Sequence, residues 1–199
     1  MTDTHVELLR THALTVGYSR ISSIRIPDLE LAGGAVWHLT GPNGSGKTAL
    51  LKTLAGLLRP MAGRIEHQHN RSGRGGAVYV HSVPYLFAGS VRRNLALSGP
   101  SREQLETAAD VFGLLPLLDR MAATLSHGEQ RRVALARAVA AGPEILLVDE
   151  PEGGLDDEAL AAWRTCMSRA IDEGCMALVV ASHRPVAFDG IRVTEVRLA

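Results

Sequence analysis

The octapeptide Gly41-Pro42-Asn43-Gly44-Ser45-Gly46-Lys47-Thr48 constrains this chain more than any other stretch. It fits the pattern G-x-x-x-x-G-K-[ST], and it has the flanks that such a pattern needs. Ahead of it, Ala35-Val36-Trp37-His38-Leu39 reads as a buried strand; behind it, Thr48 to Leu58 reads as a helix with a Gly- and Pro-containing exit. A strand that turns through glycines into a helix N-terminus makes an anion site from backbone alone. Free N–H groups and the positive end of the helix dipole converge there. Glycines at 41, 44 and 46 permit backbone angles and a close approach that a Cβ would forbid. In such a loop Lys47 reaches the β- and γ-phosphates of a nucleotide, and the Thr48 hydroxyl takes a position on Mg²⁺. The plain alternative is a Gly-rich turn followed by a chance Lys-Thr, and the strand and helix on either side argue against it.

Composition narrows the partners. At 199 residues the chain suits one substantial domain. Its 21 basic and 21 acidic residues offer no basic footprint for nucleic acid and no polybasic membrane anchor. Cys166 and Cys175 suit reduced thiols rather than a disulfide framework or a metal cluster, and the eight histidines lack metal spacing. Met1 to His5 has no signal-peptide character, and no apolar run approaches the ~20 residues of a membrane helix. The expectation is a soluble cytoplasmic domain that binds no nucleic acid.

Along the chain, Glu7 to Val16 reads as a strand closed by Gly17, with Tyr18 in the turn. Tyr18 is as readily a half-buried aromatic as a stacking surface for a base. Ile24 to Leu31, broken by Pro27, suggests a strand pair; Arg64 to Glu66 suggests a short strand, and His67 to Gly76 a polar surface loop. Ala77 to Val80 is a compact strand leading to His81-Ser82-Val83-Pro84-Tyr85-Leu86-Phe87, a loop with clustered aromatics. Ser101-Arg102-Glu103-Gln104 is a capping-box signature, and Leu125 to Gln130 opens a helix predicted over Arg131 to Ala141. The apolar run Glu144 to Val148 is a buried strand that delivers Asp149-Glu150-Pro151 at its end. Asp156 or Asp157 caps a further helix, and Met176 to Ala181 is a last buried strand before Ser182-His183. Strands alternating with helices, with polar motifs at strand ends, imply a largely parallel α/β sheet with its ligand at the carboxyl edge.

Hydrolysis needs metal and water held opposite the γ-phosphate. Asp149 is set to hold Mg²⁺ through water, and Glu150 to orient or deprotonate the attacking water. An acidic strand end merely solvated in a turn is the alternative, and the Gly41–Thr48 loop about a hundred residues earlier argues against it.

The order Gly41–Thr48, Leu125-Ser126-x-Gly128-x-Gln130, Ile145 to Glu150, Leu155-Asp156 and His183 resembles the ATP-binding cassette family, the nucleotide-binding domains of ABC transporters. The resemblance runs from Tyr18 to the final strand, and the Leu-Ser motif sets this family apart from other P-loop ATPases. It implies a P-loop core with a mainly parallel sheet, an N-terminal antiparallel β subdomain and a helical signature subdomain near residues 88–141. It also implies roles. Tyr18 and residues Gly41, Pro42, Asn43, Gly44, Ser45, Gly46, Lys47 and Thr48 bind ATP; Thr48 and Asp149 bind Mg²⁺; Glu150 is the catalytic glutamate and His183 senses the γ-phosphate. In the family two cassettes pair head to tail, so Ser126, Gly128, Glu129 and Asp156 reach the nucleotide of the other copy. Ser126 and Gly128 at a helix start make a second anion site, and the cap and that site are the same groups.

This chain departs from the family at several points. His127 stands where the family usually has glycine. Ser82 stands in place of the glutamine that reaches Mg²⁺ and water, too short to span the same gap, with His81 next door as another candidate. Gly153-Gly154 alters the segment before Leu155-Asp156. The resemblance implies an ATPase subunit of a membrane transporter, with a second cassette (a copy or a paralogue) and a separate transmembrane subunit contacted near Tyr85–Phe87. Phe87 to Arg92 is similar to exporter-type cassettes, and the chain would then sit peripherally on the inner membrane face. Two other functions fit less of the sequence: a non-transport ABC ATPase driving a soluble assembly, and a degenerate cassette with very slow hydrolysis.

Overall fold

A computed structural model describes residues 6–67, 75–153, 155–174 and 176–198. In chain order the strands are β1 (Glu7–Gly17), β2 (Ser23–Arg25), β3 (Glu30–Ala32), β4 (Val36–Thr40), β5 (Ala62–His67), β6 (Gly75–Val80), β7 (Pro143–Asp149), β8 (Ala177–Ala181) and β9 (Val193–Arg197). The α-helices are α1 (Lys47–Leu54), α2 (Val91–Leu95), α3 (Arg102–Val111), α4 (His127–Ala140) and α5 (Asp157–Asp172). Two sheets divide the strands. In the antiparallel one, β1 pairs with β2, β3 and β5. The other is parallel throughout, in the order β6-β7-β8-β4-β9.

Every residue of β7 and of β8 is buried. Both sequences are continuous apolar runs because a parallel sheet covered on two faces has no solvent side. Register sorts the side chains by face. Leu146 lies beside Leu178, and Leu178 beside Val36, in a core shared with Leu105 of α3, Val133 of α4 and Trp163 of α5. One step along, Leu147, Val179 and Trp37 turn the other way onto Leu50, Leu51 and Leu54 of α1 and Leu14 and Val16 of β1. Trp163, Met167 and Ile171 recur at helical spacing on the buried face of α5, each worth about 1.5–3 kcal/mol of burial.

Helix boundaries follow local chemistry. α1 closes at Leu54, short of the expected Leu58, because Gly56 takes φ +72° and the Leu57 N–H turns back to the Lys52 carbonyl at 2.8 Å. Both capping signatures form: Ser101 with Gln104 on α3, and Ser126 with Glu129 on α4. α4 therefore begins at His127 rather than Arg131, and Ser126 to Glu129 make up its cap and first turn. The expected loop over 67–76 is trimmed at both ends, since β5 includes His67 and β6 begins at Gly75; residues 68–74 lie outside the described set.

Because β4, β7 and β8 are parallel, their carboxyl ends share one edge. Gly41 follows β4, Asp149 ends β7 with Glu150 next, and Ser182-His183 follow β8. That edge is where an open α/β sheet presents its ligand site.

Candidate functional site

The Gly41–Thr48 loop is held by backbone contacts. Gly41 has φ +142°, and a Cβ there would lie 2.4 Å from the Leu198 carbonyl oxygen and 2.7 Å from Ser45 Oγ. Gly46 caps α1 at φ +85°, a left-handed position that suits glycine. Lys47 Nζ donates to the Gly41 and Pro42 carbonyls at 2.8 and 3.0 Å, so the ammonium lies inside the loop against oxygen acceptors. Among the described residues Ser45 Oγ is buried with no hydrogen-bond partner, an orphan polar atom inside the loop. A bound anion suits that environment.

Thr48 Oγ1 donates to Asp149 Oδ2 at 2.7 Å and so ties the loop to the end of β7. A hydroxyl and a carboxylate oxygen at that separation are hard donors of the type Mg²⁺ takes. Among the described residues no cluster of three or more His, Cys, Asp or Glu side chains is placed to hold a metal. Tyr79 Oη donates to the same Asp149 oxygen at 3.2 Å. Burial first, and then the Asp149 charge, push the Tyr79 phenol well above its ordinary range, so it stays a donor. Tyr18 lies close enough to Tyr79 to add to that shift. The Tyr18 ring is exposed, with Lys52 Nζ 5.6 Å from its centroid.

Glu150 takes φ +51°, a left-handed conformation that a glutamate adopts only under constraint. Its N–H donates to the Ala181 carbonyl at 2.8 Å. Its side chain is about half exposed, with Oε1 3.8 Å from His183 Nε2. Just before His183, buried Ser182 donates through Oγ to Glu152 at 2.7 Å, and its carbonyl lies 3.2 Å from Nε2 of buried His38 on β4.

The loop after β6 takes its own course. The strand ends at Val80, so His81 does not alternate away from the site as a longer strand would make it. The His81 ring meets Tyr79 edge-on at 5.9 Å, and its Nδ1 accepts from the Val83 N–H at 2.9 Å. Ser82 Oγ lies 3.4 Å from the same nitrogen, while the Ser82 carbonyl accepts from Arg131 Nη1 at 3.2 Å. Further along, Tyr85 and Phe87 are exposed and meet edge-to-face at 5.2 Å. They line a groove of about 550 Å³ with Val83, Leu97, Ala134 and Arg137. Arg137 stacks its guanidinium over Phe87 at 5.4 Å and donates to the Tyr85 carbonyl at 2.9 Å.

The sequence-expected residues thus fall into two groups. Residues 41–48, Asp149, Glu150 and His183 gather at one sheet edge. Ser126, Gly128, Glu129 and Asp156 sit at helix starts, and among the described residues no hydrogen bond joins 126–129 to 41–48. Ser126 Oγ accepts from the Glu129 N–H at 3.3 Å, and Glu129 Oε2 accepts from the Ser126 N–H at 2.7 Å. That last bond lowers the Glu129 carboxyl below its ordinary range. Asp156 caps α5 through the Ala159 N–H at 2.8 Å. Gly154 lies outside the described residues.

Two residues escaped the sequence reading. Arg131 is fully buried and donates to four backbone carbonyls: His81, Ser82, Asp149 and Glu150. Burial lowers its pKa against the pull of Asp149, Glu152 and Glu150. Its signal was available, since Arg131 shares a helical stripe with buried Ala134, Leu135 and Ala138. Asn94, also fully buried, pins Phe87 through both backbone groups.

Comparison with known proteins agrees with this geometry. The profile of the family described as "ABC transporter" matches residues 24–153. The cytochrome c biogenesis ATP-binding export protein CcmA of Novosphingobium aromaticivorans is 36% identical over 177 residues, 87% of each chain. The zinc import ATP-binding protein ZnuC of Paramagnetospirillum magneticum is 36% identical over 78% of this chain and 60% of its own. Among solved structures, an ATP-binding subunit of an ABC transporter superposes with a TM-score of 0.74 at 26% identity, covering 88% of this chain and 80% of that one. The chain belongs to the ABC transporter family, as an ATP-binding and ATP-hydrolysing P-loop ATPase coupled to transport.

Proposed function

We propose that this chain powers an exporter by binding Mg-ATP between two cassettes and hydrolysing it there, with a separate transmembrane subunit seated in the Tyr85–Phe87 groove. The observation that carries the reading is the Thr48 to Asp149 bond of 2.7 Å, which joins the phosphate loop to the hydrolytic end of β7. Export draws support from the CcmA relative, matched over 87% of both chains, against 60% of the zinc import relative's length. Among the described residues no helix is long and apolar enough to cross a membrane, so a spanning subunit would be a second polypeptide or segment.

In this reading Lys47 exchanges its two carbonyl acceptors for phosphate oxygens, and the amide N–H groups of residues 44–48 take the remaining charge. Thr48 and Asp149 hold Mg²⁺, which when bound neutralises phosphate charge and orients the terminal group for in-line attack. On this reading Ser82 stands in for a longer side chain and is too short to reach far towards the metal. Glu150 accepts the proton of the attacking water, its direction fixed by the backbone bonds on either side of it. His183, 3.8 Å from Glu150, meets the γ-phosphate from the end of β8. Tyr18 stacks on the base. The first turn of α4 in a second copy, with Ser126, Gly128 and Glu129, closes the site from the far side, joined by that copy's Asp156.

Measured ATPase activity tests this. Asp149→Asn keeps the shape but weakens the metal ligand, so turnover should fall at least on the order of a hundredfold and recover in part with excess Mg²⁺. An Asp149→Asn protein as active as the wild type at low Mg²⁺ would contradict the proposal.

A further inference from the structure

Arg131 lies in the second turn of α4, fully buried, and its guanidinium forks between two chain segments. Nη1 donates to the carbonyls of His81 and Ser82, the latter at 3.2 Å. Nη2 donates to the carbonyls of Asp149 and Glu150, each at 2.7 Å. A planar guanidinium holds both pairs in a fixed relation, which neither lysine nor an apolar side chain reproduces. Among the described residues no carboxylate is hydrogen-bonded to it: carbonyl oxygens take its N–H groups, the charges of Asp149, Glu152 and Glu150 act on it from nearby, and its Nε–H is buried without a partner. Burying an arginine in this way is costly and is not needed to fill space in a helix core.

The acceptors matter more than the donor. Glu150 sits at φ +51°, and three bonds fix its backbone: its N–H to Ala181, and its carbonyl to Arg131 at 2.7 Å and to the Gly153 N–H at 3.1 Å. On the other arm, Ser82 begins the loop that runs to Tyr85 and Phe87, and its hydroxyl reaches only as far as His81. The link from this loop to the hydrolytic end of β7 therefore runs through backbone carbonyls.

We infer that Arg131 is a positioning residue for hydrolysis: it clamps the 81–82 turn to the backbone of Asp149 and Glu150, and so sets where the Glu150 carboxylate meets the attacking water. The inference rests on the ATPase reading of the site. Arg131 is fully buried behind the Asp149–Glu150 backbone and acts through Glu150. Displacement of the 81–82 turn, for instance when a partner enters the adjoining groove, reaches Glu150 through the same guanidinium.

The test is a double-mutant cycle on the purified full chain, with ATP affinity, kcat, KM and thermal unfolding measured for Arg131→Met, Arg131→Lys, Glu150→Gln and the Arg131→Met/Glu150→Gln pair. Arg131→Met should lower kcat on the order of a hundredfold, since a misplacement of about 1 Å costs that much, while KM and ATP affinity change by no more than about threefold. Arg131→Lys, which keeps the charge and one pair of acceptors, should recover part of the loss. In the Glu150→Gln background, Arg131→Met should change residual single-turnover rate by less than about twofold, because the group it positions is already gone. A purely structural arginine would instead lower ATP affinity and kcat together, and its effect would multiply with that of Glu150→Gln; either result overturns the inference. If Arg131→Met does not fold, Arg131→Lys carries the test, and wild-type turnover in that variant overturns the inference. Wild-type protein that hydrolyses no ATP refutes the ATPase reading itself, a separate outcome.

Discussion

Asn94→Ala is predicted to unfasten the groove loop while sparing the nucleotide site. The side chain is fully buried at the end of α2. Its Oδ1 accepts from the Phe87 N–H at 2.8 Å, and its Nδ2 donates to the Phe87 and Ser90 carbonyls at 2.9 and 3.0 Å. Arg137 Nη1 lies 3.3 Å from the same Oδ1. Alanine removes all of these at once. Water reaches part of this loop, so each orphaned Phe87 group costs nearer the low end of the usual range, and the sum with the lost packing is roughly 2–3 kcal/mol. For a chain of this size that corresponds to a fall in Tm of roughly 5–10 °C. ATP affinity should stay within about twofold, since the hydrogen bonds of Asn94 run to Phe87, Ser90 and Arg137 rather than to residues 41–48 or 149–150. Thermal unfolding, ATP titration and hydrogen exchange at the Phe87 amide are the assays, with Phe87 protection lost in the variant. A Tm within about 1–2 °C of wild type, or retained Phe87 protection, would refute the view that this amide bridge holds the loop.

Ser82→Gln should raise turnover several-fold with little change in ATP affinity, because a longer amide restores reach towards metal and water; steady-state kinetics decide it. His81→Ala should be mild, losing the Nδ1 acceptor for Val83 and the edge contact with Tyr79, whereas its abolishing turnover while Ser82→Gln does nothing would move the functional position to His81. Gly41→Ala should destroy nucleotide binding, its Cβ meeting the Leu198 carbonyl at 2.4 Å. Gly44→Ala meets no protein atom, so its effect on stability should be limited to left-handed strain, about 1–2 kcal/mol, and equal falls in Tm for the two variants by thermal unfolding would refute the packing argument.

Much of this arrangement was legible in the sequence. Residues 41–48 announced themselves because a phosphate loop needs glycines and a lysine at fixed spacing. Asp149-Glu150 stood out because β7 is an unbroken apolar run that stops there. Ser101 and Ser126 were readable as caps since their partners sit three residues on. What escaped were side chains whose partners are mainly backbone groups. Arg131 and Asn94 bind groups that every residue carries, so no complementary side chain marks the contact. The start of α4 was set too late for a related reason: His127 and Gly128 are poor helix formers, yet the Ser126–Glu129 box closes the first turn around them. The early end of α1 turned on Gly56, whose left-handed φ overrides the apolar residues beyond it.

The central claim is that half of each hydrolytic site comes from a second copy. Residues 41–48 and Glu150 share one sheet edge, while Ser126, Gly128 and Glu129 stand at the start of α4 and, among the described residues, make no hydrogen bond to residues 41–48. The most direct measurement is the mass of Glu150→Gln by light scattering, with and without Mg-ATP. The substitution keeps the binding contacts and removes the proton acceptor, so the account predicts a monomer without nucleotide and a stable dimer with it. A Glu150→Gln protein that binds Mg-ATP yet stays monomeric would contradict the claim for two copies of this chain.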